Sequence, residues 1–390
     1  MFVRWDYPTG GIEIAKFSGR VKYIDISGIR KMFELAKAGG IINLGIGEPD
    51  FSIPPQSKAA IKEALDEDFT HYTPSKGIME LREALVKKLK SENGIISNVE
   101  EIIVTSGASE ALALGILTIV DPGEEVIIPD PGFVSYPPLI RTANGVPVPV
   151  QVKEENEFDF DVNDIEERIT TNTKAIIINS PSNPTGAVSS KDVIKGIAQI
   201  CDEKGIFVIS DEVYEKIIYE GKHHSIAKFT DMAITINSFS KSYAMTGLRL
   251  GYVHSKLEII EEMLKIHQYL QASTSSLSQR AALAALREGE KFINEMVGTF
   301  RERRDIMVEL LNEIRDVDCL KPRGAFYAFP NFSKRGNSRE LVMEFLKKAK
   351  VVATPGTAFG DHGEGYVRFS YATSRSNIEE GIRRIREAIH

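Results

Sequence analysis

Cysteine is nearly absent from this sequence: its 390 residues include only two, Cys201 and Cys319. Their spacing fits neither a disulfide framework nor a metal motif, so both read as reduced, structural thiols suited to a reducing cytoplasm. Surplus positive charge is lacking too. The formal net charge is −7, so nothing draws the chain generally towards nucleic acid or an anionic membrane. Long apolar runs are missing: ALALGILTIV, the longest, is too short to span a bilayer. The first residues, MFVRWDYPTGGIEIAK, carry no apolar stretch of the secretory kind. Repeats and low-complexity tracts do not occur. The basic run Arg301 to Arg304 falls in a helical pattern and reads as a solvated face. These absences lead to the expectation of a soluble, cytoplasmic protein with no nucleic-acid or membrane partner.

What is present is ordinary globular material, 42% hydrophobic and 26% charged. That is enough for a sizeable core and for a large domain with a smaller one attached. Short β-branched runs (EIIVTS, EEVIIPD, VPVPVQV, KAIIINS, IFVISDE, AITINS and LRLGYVHS) alternate with helical patterns such as SEALALGILTIV and SKDVIKGIAQICDEKG. Apolar strands separated by helices predict an α/β fold, with a mostly parallel central sheet flanked by helices. From about Leu257 the pattern turns helical and then mixed, which predicts a small α+β domain. The expected division is 46–286 for the large domain, and 1–45 with 287–390 for the small one.

Ligands of such sheets gather at the carboxyl ends of the strands, and chemistry-bearing residues cluster there. In TSGASEAL, small residues precede an apolar helix. This suits an anion site on free helix amides, or a plain N-cap at Ser106 or Ser109. In SPSNPTG, Asn183 sits in a rigid turn as an amide donor or as a turn former. Asp211 follows an apolar strand, either as a carboxylate in want of a partner or as a helix cap, with Tyr214 three residues on. Arg368 lies in a short strand, either gripping an anion with its fork or facing outwards. SFSKSYAMTGLR sets Lys241 after another apolar strand, between Ser238, Ser240 and Arg249. Taken together these groups offer an anion cradle, a carboxylate, amide and hydroxyl donors and one amine. Pyridoxal 5′-phosphate, with its phosphate, ring nitrogen, phenolic oxygen and aldehyde, would use each of them.

The chain resembles the class I aminotransferases of the fold-type I pyridoxal-phosphate enzymes, near the aspartate and aromatic aminotransferases of bacteria and archaea. The resemblance runs from about residue 20 to the C-terminus. It rests on NLGIGEPDF, HYTPSKGIMELREAL, TSGASEAL, PGFVSYP, NSPSNPTGAV, SDEVYE, SFSKSYAMTGLRLGY, PRGAFYAFP and VRFSYATS in the family's order. It implies amino transfer from an L-amino acid, aspartate or an aromatic one, to a 2-oxo acid such as 2-oxoglutarate. Other chemistry of the same cofactor, such as β-elimination from a cysteine conjugate, uses the same lysine and aspartate.

The resemblance implies roles residue by residue. Lys241 matches the lysine that carries the cofactor as a Schiff base, and Asp211 the partner of the ring nitrogen. Tyr214 and Asn183 match the donors to the phenolic oxygen. Gly107, Ala108, Ser109, Ser238, Ser240 and Arg249 match the phosphate cup, and Phe133 the ring-stacking aromatic. Arg368 matches the clamp on the substrate carboxylate, and Gly47 a backbone approach to the substrate. Tyr72 matches a tyrosine that reaches the phosphate of the neighbouring subunit, which implies a homodimer with shared active sites. One departure stands out. Where enzymes strict for acidic substrates place a partner-subunit arginine, this chain aligns Gln268, so the resemblance does not imply a strict aspartate enzyme, unless Arg280 or an N-terminal residue serves instead.

Overall fold

The computed structural model of the chain describes residues 18–24 and 40–389. All seven expected strands form one sheet: β1 (Ile102–Thr105), β2 (Glu125–Asp130), β3 (Val146–Gln151), β4 (Thr173–Asn179), β5 (Phe207–Asp211), β6 (Ala233–Ser238) and β7 (Gly251–His254). Their spatial order is β1-β7-β6-β5-β4-β2-β3. β7 runs antiparallel to both its neighbours, while the remaining pairs are parallel. The short link between β6 and β7 explains this reversal. It holds only the short helix Phe239–Ser242 and the single 3-10 turn Thr246–Leu248, with no helix long enough to cross a face of the sheet and bring the chain back parallel. The chain therefore re-enters the sheet where it left. The prolines of VPVPVQV are tolerated because β3 is an edge strand.

Helices cover both faces. α1 (Ala108–Ile119) and α3 (Leu257–Leu270) pack on one, meeting Ile103, Ile177, Ile209, Ile234 and Val253. α2 (Lys191–Lys204) covers the other with Ile194, Ile197, Ala198 and Cys201, against Ile176, Ile178 and Val208. Its ends obey local rules. The Ser190 side chain caps the start by accepting from the Val193 amide, and Gly205 closes the helix in the left-handed region. Alternate strand residues thus enter different cores, as the two-residue period of a strand requires.

A further core gathers the C-terminal elements: α4 (Glu290–Asn312), α5 (Arg375–Ala388) and the strand Val367–Ser370, with Phe300, Phe326, Phe345 and Phe369 buried. Leu44 joins this core, and Ile42–Asn43 pairs in parallel with Val351–Val352. The described stretch 18–24 instead meets the expected large domain, Arg20 donating to the Thr142 carbonyl at 3.4 Å, and the expectation for residues 1–17 and 25–39 falls outside the described residues. Val213, Tyr214, Ile217 and Tyr219 also enter the C-terminal core. Both cysteines are buried and free, and burial pushes each thiol up to about 12.

The basic run departs from expectation. Arg304 is buried, not solvated. It donates to the Pro322 carbonyl at 2.9 Å and to Glu220 at 3.1 Å, and it stacks over the Tyr219 ring. Helical periodicity turns one arginine of the run inwards, where its stem and fork can both be satisfied. No helix among the described residues is long and apolar enough to cross a membrane.

Candidate active site

Strand register assembles the site. Thr105, Gly251 and Ser238 stand side by side at one edge of the sheet, as do Asn179, Asp211 and Ile236. A cavity of about 350 Å³ opens there. Of the residues expected to act, it is lined by Gly47, Ala108, Ser109, Phe133, Asn183, Asp211, Tyr214, Ser238, Ser240, Lys241, Arg249 and Arg368. Groups as far apart in sequence as Gly47 and Arg368 meet within it.

The Lys241 ammonium donates to the Gly47 carbonyl at 2.6 Å. Burial lowers its pKa to about 8, with Arg368 and Arg249 adding to the fall and Glu48 opposing it. Asp211 is buried and accepts from the Tyr136 hydroxyl at 2.8 Å. Burial raises its carboxyl to about 6, an ionised group in want of a cation. Tyr214 and Tyr327 share a hydrogen bond of 2.8 Å. No helix follows Asp211: the chain makes two tight turns, closed by Glu215 N–H to Glu212 and Ile217 N–H to Tyr214. The helix-cap alternative for Asp211 therefore falls.

Arg368 is 2% exposed, so the outward-facing alternative falls too. Its fork donates to Asn183 Oδ1 at 2.8 Å and to the Gly45 carbonyl at 2.6 Å. Its carbon centre lies 4.5 Å from the Tyr327 ring and 4.8 Å from the Phe359 ring. Its Nε is buried with no partner among the described residues. With Oδ1 taken by Arg368, the Asn183 amide keeps its donor end free.

At the other end of the cavity, Ser238 Oγ bonds Ser240 Oγ at 3.0 Å and accepts from the Ser240 amide at 3.1 Å. Arg249 adopts a left-handed backbone, φ 51°, which brings its guanidinium back beside Gly107. Gly107 itself, φ 77°, caps α1, and a Cβ there would lie 2.6 Å from Arg249 Nη2. Neither Ser106 nor Ser109 caps the helix through its side chain. The first turn of α1, two serines and an arginine thus form a cradle that leaves amides and hydroxyls for an anion.

A family model described as aminotransferase class I and II matches residues 39–385. The chain is 47% identical over 376 residues to a probable aspartate aminotransferase of Methanocaldococcus jannaschii, covering 95% of this chain and 99% of that one. It is 43% identical over 381 residues to aromatic-amino-acid aminotransferase 2 of Thermococcus litoralis, covering 95% and 98%. The solved aspartate aminotransferase of Thermus thermophilus with maleate superposes with a TM-score of 0.92 at 37% identity, covering 96% and 100%. The chain belongs to the class I and II aminotransferases. These are pyridoxal-phosphate enzymes, and the fold-type I architecture and the cofactor expected from sequence both hold. The donor set fits that cofactor: an anion cradle, a buried carboxylate, and a lysine whose ammonium reaches only a backbone carbonyl.

Sequence reasoning left some residues of this aminotransferase unassigned. Tyr136, Tyr327, Asn179, Glu48 and Thr246 all touch the site. Asn179 holds it together, donating to the Asp211 carbonyl and accepting from the Asn183 amide, both at 2.8 Å. Glu48 accepts from Thr246 across the cavity mouth. Tyr136 and Tyr327 lay inside quoted motifs, where a hydroxyl among apolar residues was the available signal. Tyr72 is not brought to the cavity of its own chain and is 89% exposed. Gln268 is exposed near the end of α3. Arg280 pairs with Glu67 at 3.1 Å and stacks on Phe69, outside the cavity of its own chain.

Proposed function

We propose that this cavity holds pyridoxal phosphate with the roles that follow, in a homodimer acting on aspartate or aromatic amino acids with 2-oxoglutarate as acceptor. One observation carries the assignment: Lys241, Asp211, Tyr214, Asn183 and Arg368 line a single cavity whose far end is the Ser238–Arg249–Gly107 cradle.

When bound, the cofactor supplies an aldehyde that captures an amine and a ring that accepts electrons from Cα. The cradle holds its phosphate, and Phe133 covers a ring face. Asp211 keeps a proton on the ring nitrogen, which its buried carboxylate favours. Tyr214 and the free Asn183 amide donate to the phenolic oxygen. Arg368 grips the substrate carboxylate, giving up the Gly45 carbonyl for a charged partner. Lys241 Nζ takes the proton from substrate Cα and later returns one. A lysine near pKa 8 is suited to that work at neutral pH, whereas an ordinary lysine is not.

Homology to both aspartate and aromatic enzymes supports the donor range. Exposed Tyr72, Tyr269 and Leu270 support a surface covered by a second copy, with Tyr72 reaching the partner's phosphate. The C-terminal core supports a division at 46–286, with 1–45 and 287–390 as the small domain, and the composition suits the cytoplasm. The test is a half-reaction panel in which single amino acids are mixed with holoenzyme and the cofactor absorbance is followed. Conversion to the amine form without release of ammonia or pyruvate marks transamination. Release of ammonia together with pyruvate from donors that carry a leaving group on Cβ, such as a cysteine conjugate, would favour elimination instead.

A further inference from the structure

The turn that carries Asp211 and Tyr214 has a second face. Asp211 and Tyr214 line the cavity, while Glu212 and Glu215, on alternate positions, point away from it and are 1% and 9% exposed. Glu212 Oε1 accepts from Ser210 Oγ at 2.9 Å and Ser225 Oγ at 2.8 Å, and its Oε2 faces His223 Nε2 at 2.9 Å. Glu215 pairs with the ammonium of Lys88 and accepts from Asn93 Nδ2 at 2.7 Å. Lys88 also donates to Asn93 Oδ1 at 2.8 Å, and Glu92 lies 3.7 Å from its ammonium. Five side chains converge on two carboxylates that do not line the cavity.

Burying such charges is expensive, and an apolar filling would serve stability as well or better. Charged pairs are worth their cost where they fix one geometry. Here Glu212 is held from β5 and from the loop 223–225, and Glu215 from the helical segment 88–93, so the turn cannot rotate or shift without stranding a buried charge. We propose that Glu212 and Glu215, held by His223 and Lys88, are positioning residues that fix Asp211 and Tyr214 against the cofactor ring. This rests on the reading that those two side chains meet the ring nitrogen and the phenolic oxygen. The electrostatics agree with the geometry. Burial alone would raise Glu215, yet Lys88 and His223 bring it down to about 2, and Glu212 holds His223 above its ordinary value despite burial.

The test uses holoenzyme variants and reads the pH titration of the visible absorbance of the lysine-linked cofactor, together with cofactor affinity of the apoenzyme. Glu215→Gln can keep the Asn93 contact but removes the buried carboxylate that pairs with Lys88, leaving it only the more distant Glu92. Its titration midpoint should rise by about half a unit or more, because Asp211 holds the ring-nitrogen proton less firmly and Tyr214 donates less well to the phenolic oxygen. Cofactor affinity and kcat should each fall about tenfold or more, as misplacement of reacting groups predicts. His223→Gln, which can still donate to Glu212, should stay near wild type, while His223→Leu should shift like Glu215→Gln. The His223 pair decides the matter if Glu215→Gln does not fold. Variants that lower only the melting temperature, with wild-type midpoint and cofactor affinity, would overturn the proposal. If the wild type itself shows no such chromophore, or Lys241→Ala retains it, the reading of the site fails instead.

Discussion

Arg368→Ala removes a guanidinium held between two aromatic rings, those of Tyr327 and Phe359. Its fork reaches Asn183 and Gly45 at 2.8 and 2.6 Å, so it is already shaped and aimed before substrate arrives. A hydrogen bond to a charged partner contributes roughly 1.5–3 kcal/mol. Losing two of them from a buried fork costs about 3–6 kcal/mol of transition-state binding, which lowers kcat/KM by about two to four orders of magnitude. Arg368→Lys keeps the charge but not the planar pair, and should fall between the two. The assay compares an α-amino acid with an amine of similar size that lacks the carboxylate, each in the half-reaction followed by cofactor absorbance. The amino acid should lose its advantage, and the plain amine should change little. An equal loss for both substrates would refute the reasoning, because Arg368 would then support the cavity wall and not grip a carboxylate.

Three further outcomes are expected. Lys241→Met should raise the apoenzyme melting temperature at pH 7. The folded state holds that ammonium near pKa 8, below its value in the unfolded chain, so its burial cost is present at pH 7 and fades as pH rises from 8 towards 10.5. The variant's advantage should shrink over the same range, and an advantage independent of pH would count against the buried charge. Gly107→Ala combines a left-handed backbone with a Cβ 2.6 Å from Arg249. Apoenzyme titration should show cofactor affinity down about tenfold or more, and unchanged affinity would remove this glycine from the cradle. Tyr72→Ala and Lys241→Ala subunits, each defective as a homodimer, should form hybrids with one intact site and up to half the wild-type activity. Hybrids that keep the weak cofactor affinity of Tyr72→Ala at their active site would place Tyr72 in its own chain's site.

The strands were legible because their signal is local: β-branched runs between turn residues, all seven found where the pattern put them. The reversal of β7 was not, because it depends on the length and path of the link after Ser238, not on the residues of the strand. The chemistry of Lys241, Asp211, Asn183 and Arg368 was readable from residue type and place at strand ends, and from motif order. Their partnership was not. That Arg368 would hold Asn183 from 185 residues away, or that Lys241 would rest on the Gly47 carbonyl, follows only from how the sheet and the C-terminal core close on each other. Local pattern likewise read Arg304 as solvated, because helical spacing shows which residues share a face but not what that face meets. Glu212 and Glu215 show the limit most clearly. In sequence they are two acids beside a tyrosine in SDEVYE, and only folding brings Lys88, Asn93 and His223 to them. Sequence by itself thus determined the elements and marked the groups proposed to react, whose preferences act over a few residues. Tertiary structure decided which buried charges meet, since pairing energies depend on distances between segments that no local preference can set.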